Sequence, residues 1–96
     1  MQDEEFEWDD DKAARNLIRH GVSFEVARRA FDDVFGVARD DRREDYGEDR
    51  ATLIAMVEGR LVFVAVTMRQ DRVRIIMARL AEPFEKQLYH DENTQD

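Results

Sequence analysis

Ninety-six residues with 43% hydrophobic content and regular apolar periodicity leave room for one domain with a modest core, one small sheet and two or three helices. The chain has no cysteine, which excludes a disulfide framework and a Cys-ligated metal and fits a reducing, cytoplasmic setting. A formal charge of −8 argues against an ordinary nucleic-acid binder until it is divided along the chain.

That division is uneven. Residues 1 to 11 hold seven acids and no base, and residues 82 to 96 hold five acids against Lys86. Residues 12 to 81 hold eleven acids against fourteen bases, a body with net charge +3. A local basic cleft in such a body binds phosphate within a Debye length of about 8 Å at physiological salt. The acidic start, Met1 to Glu5, is no signal peptide, and no apolar run approaches the length that spans a bilayer.

Phe6-Glu7-Trp8 alternates briefly and reads as an edge strand or an apolar hook. Asp9 to Asp11 supply an N-cap and first-turn negative charge for a helix over Lys12 to His20, with Ala13, Ala14, Leu17 and Ile18 as its apolar stripe and Gly21 beyond its C-cap. Ser23 caps a second helix from about Phe24 to Phe31. Val34 to Ala38 predicts a strand, and the charged stretch Asp40 to Asp49 an exposed loop.

Two apolar runs, Ala51 to Val57 and Arg60 to Met68, joined by Glu58-Gly59, predict a hairpin. Arg69-Gln70-Asp71 turns the chain into a further strand, Arg72 to Arg79. Strict alternation puts Val73, Ile75 and Met77 on one face of it, and Arg72, Arg74, Ile76 and Ala78 on the other. Pro83 opens a short helix to about Tyr89, followed by a flexible acidic tail from Asp91. The fold class is therefore α+β: two N-terminal helices, a four-stranded antiparallel sheet and a short C-terminal helix, in one domain spanning 1–96 and ordered over about 5–90.

No metal-ligand spacing, Gly-rich phosphate loop or nucleophile elbow occurs, so neither a metal nor a cofactor is expected. What the chain does carry is equipment for metal-independent RNA cleavage: a base for the 2′-hydroxyl, an acid for the leaving oxygen, and cations for the phosphorane. Guanidiniums at Arg50, Arg72, Arg74 and Arg79 match phosphate geometry, and His20, Glu48, Lys12 and Tyr89 are the candidates for proton transfer. Lys12, Asn16 and His20 recur every fourth residue, one stripe of the first helix and a possible cleft wall. Each has a plainer reading: His20 as a cation on its helix C-terminus, Glu48 as an ion-pair partner of Arg50, the arginines as a solvated row matched to carboxylates.

Phe6-Glu7-Trp8-Asp9, Lys12-Ala13, Asn16, His20-Gly21-Val22-Ser23-Phe24-Glu25, Ala27, Phe31-Asp32-Asp33, Glu48, Arg50, Arg74-Ile75-Ile76 and Ala78-Arg79 together resemble the BrnT-type toxins of type II toxin-antitoxin pairs, over nearly the whole stretch from Phe6 to Tyr89. The resemblance implies a RelE-like ribonuclease fold and RNA cleavage that arrests translation. It also implies a BrnA-type antitoxin with a ribbon-helix-helix DNA-binding domain, so that DNA is met only through that partner. It singles out Arg74 and Arg79 from Arg72, and on this reading Arg50, Arg74, Arg79, His20 and Glu48 are expected in the catalytic set and Lys12, Arg72 and Tyr89 as substrate contacts. The chain departs from the family pattern at Met77, where a Ser is usual, and at Leu80-Ala81-Glu82, where a base followed by Ala-Thr is usual, which lowers the positive potential nearby. A non-catalytic module for an acidic protein or anionic ligand is the alternative. A tetrapyrrole site using His20 with His90 or Met77 is a third reading.

Overall fold

The computed structural model describes residues 1–41 and 48–94. Most of the predicted charged loop lies outside these residues. The elements are β1 (Phe6–Glu7), α1 (Asp10–His20), α2 (Phe24–Arg29) with a 3-10 turn over Ala30–Asp32, β2 (Val37–Asp40), β3 (Arg50–Val57), β4 (Arg60–Arg69), β5 (Arg72–Leu80) and α3 (Pro83–Asn93).

The sheet has five strands in the order β1-β5-β4-β3-β2, and it is mixed where four antiparallel strands were expected. The added strand is the Phe6-Glu7 hook. It runs parallel to β5, with Phe6 opposite Val73 and Glu7 opposite Arg74. Two residues carry too little periodicity to declare a strand, whereas Phe6 and Trp8 both bury in the core and pull the segment onto the sheet. Val34 and Phe35 fall outside β2 in a tight turn: the Asp33 carboxylate accepts the Phe35 N–H at 2.9 Å, and the Asp33 carbonyl accepts that of Gly36 at 3.0 Å. Gly36 suits this close approach, because a Cβ would stand 3.0 Å from the Leu53 side chain and 3.1 Å from the Asp33 carbonyl, and a neighbour would have to give by a few tenths of an ångström.

Both tight hairpins put two residues in the left-handed region. Glu58 and Gly59 (φ 50° and 79°) join β3 to β4, and Gln70 and Asp71 (φ 53° and 66°) join β4 to β5. Positive φ at both central residues is the twist-matched arrangement for a two-residue hairpin. The second uses residues that pay a steric cost glycine or asparagine would avoid.

One face of the sheet packs beneath α1 and α2 around Trp8, Phe24, Val62, Val64 and Ile75, and the other carries a smaller cluster of Ile54, Leu61, Ala81 and Tyr89 against α3. Helix α1 departs from its predicted stripe. Its buried residue is Asn16, while Leu17 and Ile18 are 50% and 87% exposed. The cause is the sheet edge. Beyond Arg74, β5 has no strand on its outer side, and the Asn16 amide takes that place, accepting the Ala78 N–H at 3.2 Å and donating to the Ala78 carbonyl at 2.8 Å. The same amide nitrogen donates to the Val22 carbonyl at 2.9 Å. A carboxamide reproduces the peptide group of a missing strand, which an apolar side chain cannot do.

Helix α3 continues four residues past its expected end at Tyr89. Asn93 donates to the carbonyls of Tyr89 and Phe35, Thr94 to that of His90, and Arg39 pairs with Glu92 at 2.8 Å, so the start of the predicted flexible tail is tied to β2 and its preceding turn. At the other end, the Met1 amine reaches the Trp8 carbonyl at 2.9 Å. No helix among the described residues is long and apolar enough to cross a membrane.

Candidate functional site

The register of β5 decides which arginines share a face. Thr67 pairs with Arg74, Ala65 with Met77 and Phe63 with Arg79, whereas Val66 pairs with Ile75, so Ile76 is an extra residue in a β-bulge. Residues 63, 65 and 67 of β4 alternate onto one face, and their partners therefore lie there too. Simple alternation would have put Arg74 and Arg79 on opposite sides. The bulge restores them to the same side, and it moves Met77 across from Ile75 while Ala78 turns into the core.

Since Arg50 pairs with Thr67, a row runs across four strands: Glu7, Arg74, Thr67 and Arg50. Beside it lie Met77, Ala65 and Thr52, then Arg79, Phe63 and Ile54, where α3 begins to cover the sheet. A groove of about 500 Å³ runs along this second part, with Thr52, Phe63, Met77, Arg79 and Phe84 among its walls. The face thus gathers Arg50, Arg74 and Arg79, and Glu48 joins them with an oxygen 3.5 Å from the Arg50 Nε.

Arg50, Arg74 and Arg79 each have a carboxylate neighbour. Arg74 pairs with Glu7 at 2.7 Å. Arg79 is held by both oxygens of Glu85, at 2.7 and 2.9 Å, with Glu82 at 3.6 Å and the Phe63 ring beneath it at 4.2 Å. Glu85 is 2% exposed and also accepts the Glu82 N–H, closing the capping box of α3. One carboxylate therefore fixes the start of α3 and the plane of the Arg79 guanidinium together. Glu85 was not among the site residues expected from the sequence; a Glu two residues after a Pro was the signal for its capping role.

Arg72, on the same face as Arg74, and Tyr89 make other contacts. Arg72 donates from Nε to the Asp3 carbonyl at 2.7 Å, tying down the N-terminal segment. Tyr89 is buried, and its hydroxyl donates to Asp33 at 2.8 Å. Burial, together with the Asp33 charge, pushes the Tyr89 phenol up to about 12. Burial also raises the Asp33 carboxyl, but hydrogen bonds from Met56, Phe35 and Tyr89 outweigh it and leave the group below its ordinary range. Both side chains thus make contacts that hold the fold, and Tyr89 is only 7% exposed.

Lys12 and His20 come together at the β5 edge, where with Arg15, Arg19 and Met77 they border a second groove of about 430 Å³. Met77 lines both grooves. His20 and Lys12 thus stand on one side of Met77 and Arg79 on the other. His90 lies in α3 with its ring 5.6 Å from that of Tyr89. Among the described residues no three His, Asp or Glu side chains gather as a metal site.

The family model of the ribonuclease toxin BrnT, of type II toxin-antitoxin systems, matches residues 8–85. A search of the curated proteins finds no match. The matched span runs from Trp8 to Glu85 and so includes α1, the whole arginine face and the carboxylate that holds Arg79.

Proposed function

Starting from the chain's membership of the BrnT family of ribonuclease toxins of type II toxin-antitoxin systems, we propose that it cleaves RNA without a metal, by in-line attack of a 2′-hydroxyl, at the open face of the sheet. Arg50, Arg74 and Arg79 supply the charge that stabilises the phosphorane, Lys12 is a supporting cation, and His20 and Glu48 are the proton-transfer groups. The observation that carries this reading is the bulge at Ile76, which puts Arg74 and Arg79 on one face with Arg50. The carboxylate partners do not discharge the guanidiniums. Glu85 occupies two of the five N–H donors of Arg79 and leaves others in a fixed plane, so orientation precedes substrate.

The wider setting follows from the same reading: a RelE-like toxin architecture with an added parallel edge strand, a cytoplasmic site of action, and neutralisation by a BrnA-like ribbon-helix-helix antitoxin. Expression without antitoxin tests it. Arg74→Ala together with Arg79→Ala should relieve growth arrest and abolish RNA cleavage by the purified protein. Because removing Arg79 strands a buried carboxylate, the variant is built with Glu85→Gln, and its thermal unfolding is compared with that of Glu85→Gln alone. Full toxicity of a folded triple variant refutes the assignment.

A second reading, a non-catalytic module that docks an acidic protein segment or anionic ligand, is favoured by the one feature the first must accommodate: Arg50, Arg74 and Arg79 each already have a carboxylate neighbour. Intact RNA after incubation with folded, antitoxin-free protein decides for it.

A further inference from the structure

The acidic balance of the chain is reversed along one shoulder of α1. At about 100° per residue, Lys12, Arg15 and Arg19 fall within an arc of about 60° on the helix. All three are exposed, and with His20 and Met77 they line the groove at the β5 edge, whose lining contains no carboxylate. Of the nearby acids, the Asp9 carboxylate accepts the N–H groups of Asp11 and Lys12, Asp10 pairs with the Met1 amine at 3.0 Å, and Asp11, one turn before Arg15, lies outside the groove lining. Arg15 lies in the field of Asp9, and neither Lys12 nor Arg19 has an ion-pair partner among the described residues. This is the opposite of the strand arginines.

We propose that this shoulder is the track for the phosphates of single-stranded RNA flanking the scissile bond, with Arg15 and Arg19 as the binding residues. The inference rests on the ribonuclease reading above and adds to it where the strand lies and in what form it is bound. From Lys12 to Arg19 the helix rises about 10 Å, the length over which a stacked strand carries about three phosphates. The track leads past His20 to Met77, where the groove meets the one containing Arg79. A single strand follows such a path by its backbone alone. A duplex would have to bring its second strand over a chain of formal charge −8, whose excess of acids lies in residues 1–11 and 82–96.

The test uses the full chain and Arg15→Ala with Arg19→Ala, exposed side chains whose loss should leave the unfolding temperature unchanged. Binding of a short fluorescein-labelled single-stranded RNA is followed by anisotropy across a salt series, beside the same RNA annealed to its complement. Loss of two phosphate contacts should lower the slope of log affinity against log salt by about 1.4. The KM for cleavage should rise about tenfold with kcat retained, since phosphates remote from the reacting bond add binding and no chemistry. Unchanged slope and KM in a variant that still cleaves overturn the track and leave the ribonuclease reading intact. Equal affinity for the duplex overturns the single-strand assignment. A wild-type chain that binds polyglutamate and neither binds nor cleaves RNA overturns the ribonuclease reading and this inference with it.

Discussion

Replacing Asn16 tests how the sheet edge is closed. Its carboxamide accepts one hydrogen bond and donates two, all buried, and Asn16→Ala leaves the Ala78 N–H and the carbonyls of Ala78 and Val22 without partners. At about 1 kcal/mol for each hydrogen bond lost, the expected cost is about 3 kcal/mol, against a total near 5–14 kcal/mol for a chain of this size. Urea titration should show a lower midpoint with unchanged m, and the melting temperature should fall by about 12–24 °C. Asn16→Asp sharpens the test, since an ionised carboxylate accepts from Ala78 and faces two carbonyls it cannot satisfy. Its carboxyl should titrate above the ordinary range in the folded state, so its stability relative to wild type should be greatest at low pH and fall as pH rises through the raised value. A stability loss below 0.5 kcal/mol in Asn16→Ala, or no pH dependence in Asn16→Asp, would refute the claim that the amide substitutes for a strand.

Three further outcomes follow from other contacts. Tyr89→Phe removes the donor to Asp33 while Met56 and Phe35 still serve that carboxylate, so it should cost about 1 kcal/mol in urea titration and leave RNA cleavage unchanged; a raised KM would return Tyr89 to the substrate site. Gln70→Asn with Asp71→Gly fits the positive φ angles of the β4–β5 turn and should stabilise the chain by about 1 kcal/mol. The Asp3 carboxyl is held down at about 2, first by the Phe6 N–H and then by Arg28 and the Glu5 N–H. Its contribution is therefore complete above the ordinary 3.8 and is lost as pH falls toward 2, so Asp3→Asn should be less stable than wild type at pH 7 and lose less stability on acidification between those values.

Periodicity and cap residues located the hairpin over Ala51 to Met68, the arginine strand and all three helices. Periodicity failed where one residue changed the phase. With Ile76 as the extra residue, Ile75 and Ala78 both bury although three positions separate them, and no local composition marks Ile76 as a bulge. It failed again at α1, where Leu17 and Ile18 outweigh Asn16 on any hydropathy scale, yet two unpaired backbone groups at Ala78 give the amide the inner position. Of the proposed site, Arg50, Arg74 and Arg79 were legible as cations but their common face was not. Arg15 and Arg19 passed unnoticed because cations on a surface helix are ordinary until the groove they line is seen to hold no acid.

The arginines of this chain divide by the acids set against them. Asp3 lies on Arg28, Glu7 on Arg74 and Glu85 on Arg79, so these cations hold the N-terminal segment, β1 and α3 to the body of the fold. Such pairs fix direction more than they add stability: the Arg79 guanidinium, clamped by a buried carboxylate over the Phe63 ring, cannot turn away without exposing both. Lys12, Arg15 and Arg19 are the reverse, long side chains free to follow a flexible polyanion. Removing a clamped cation should therefore depress kcat, because a fixed charge acts on the transition state, and removing a track cation should raise KM. A single kinetic comparison of Arg79→Ala in the Glu85→Gln background with Arg19→Ala separates the two. If both variants changed only KM, the clamped arginine would be one more binding contact and the catalytic role assigned to the strand would fall.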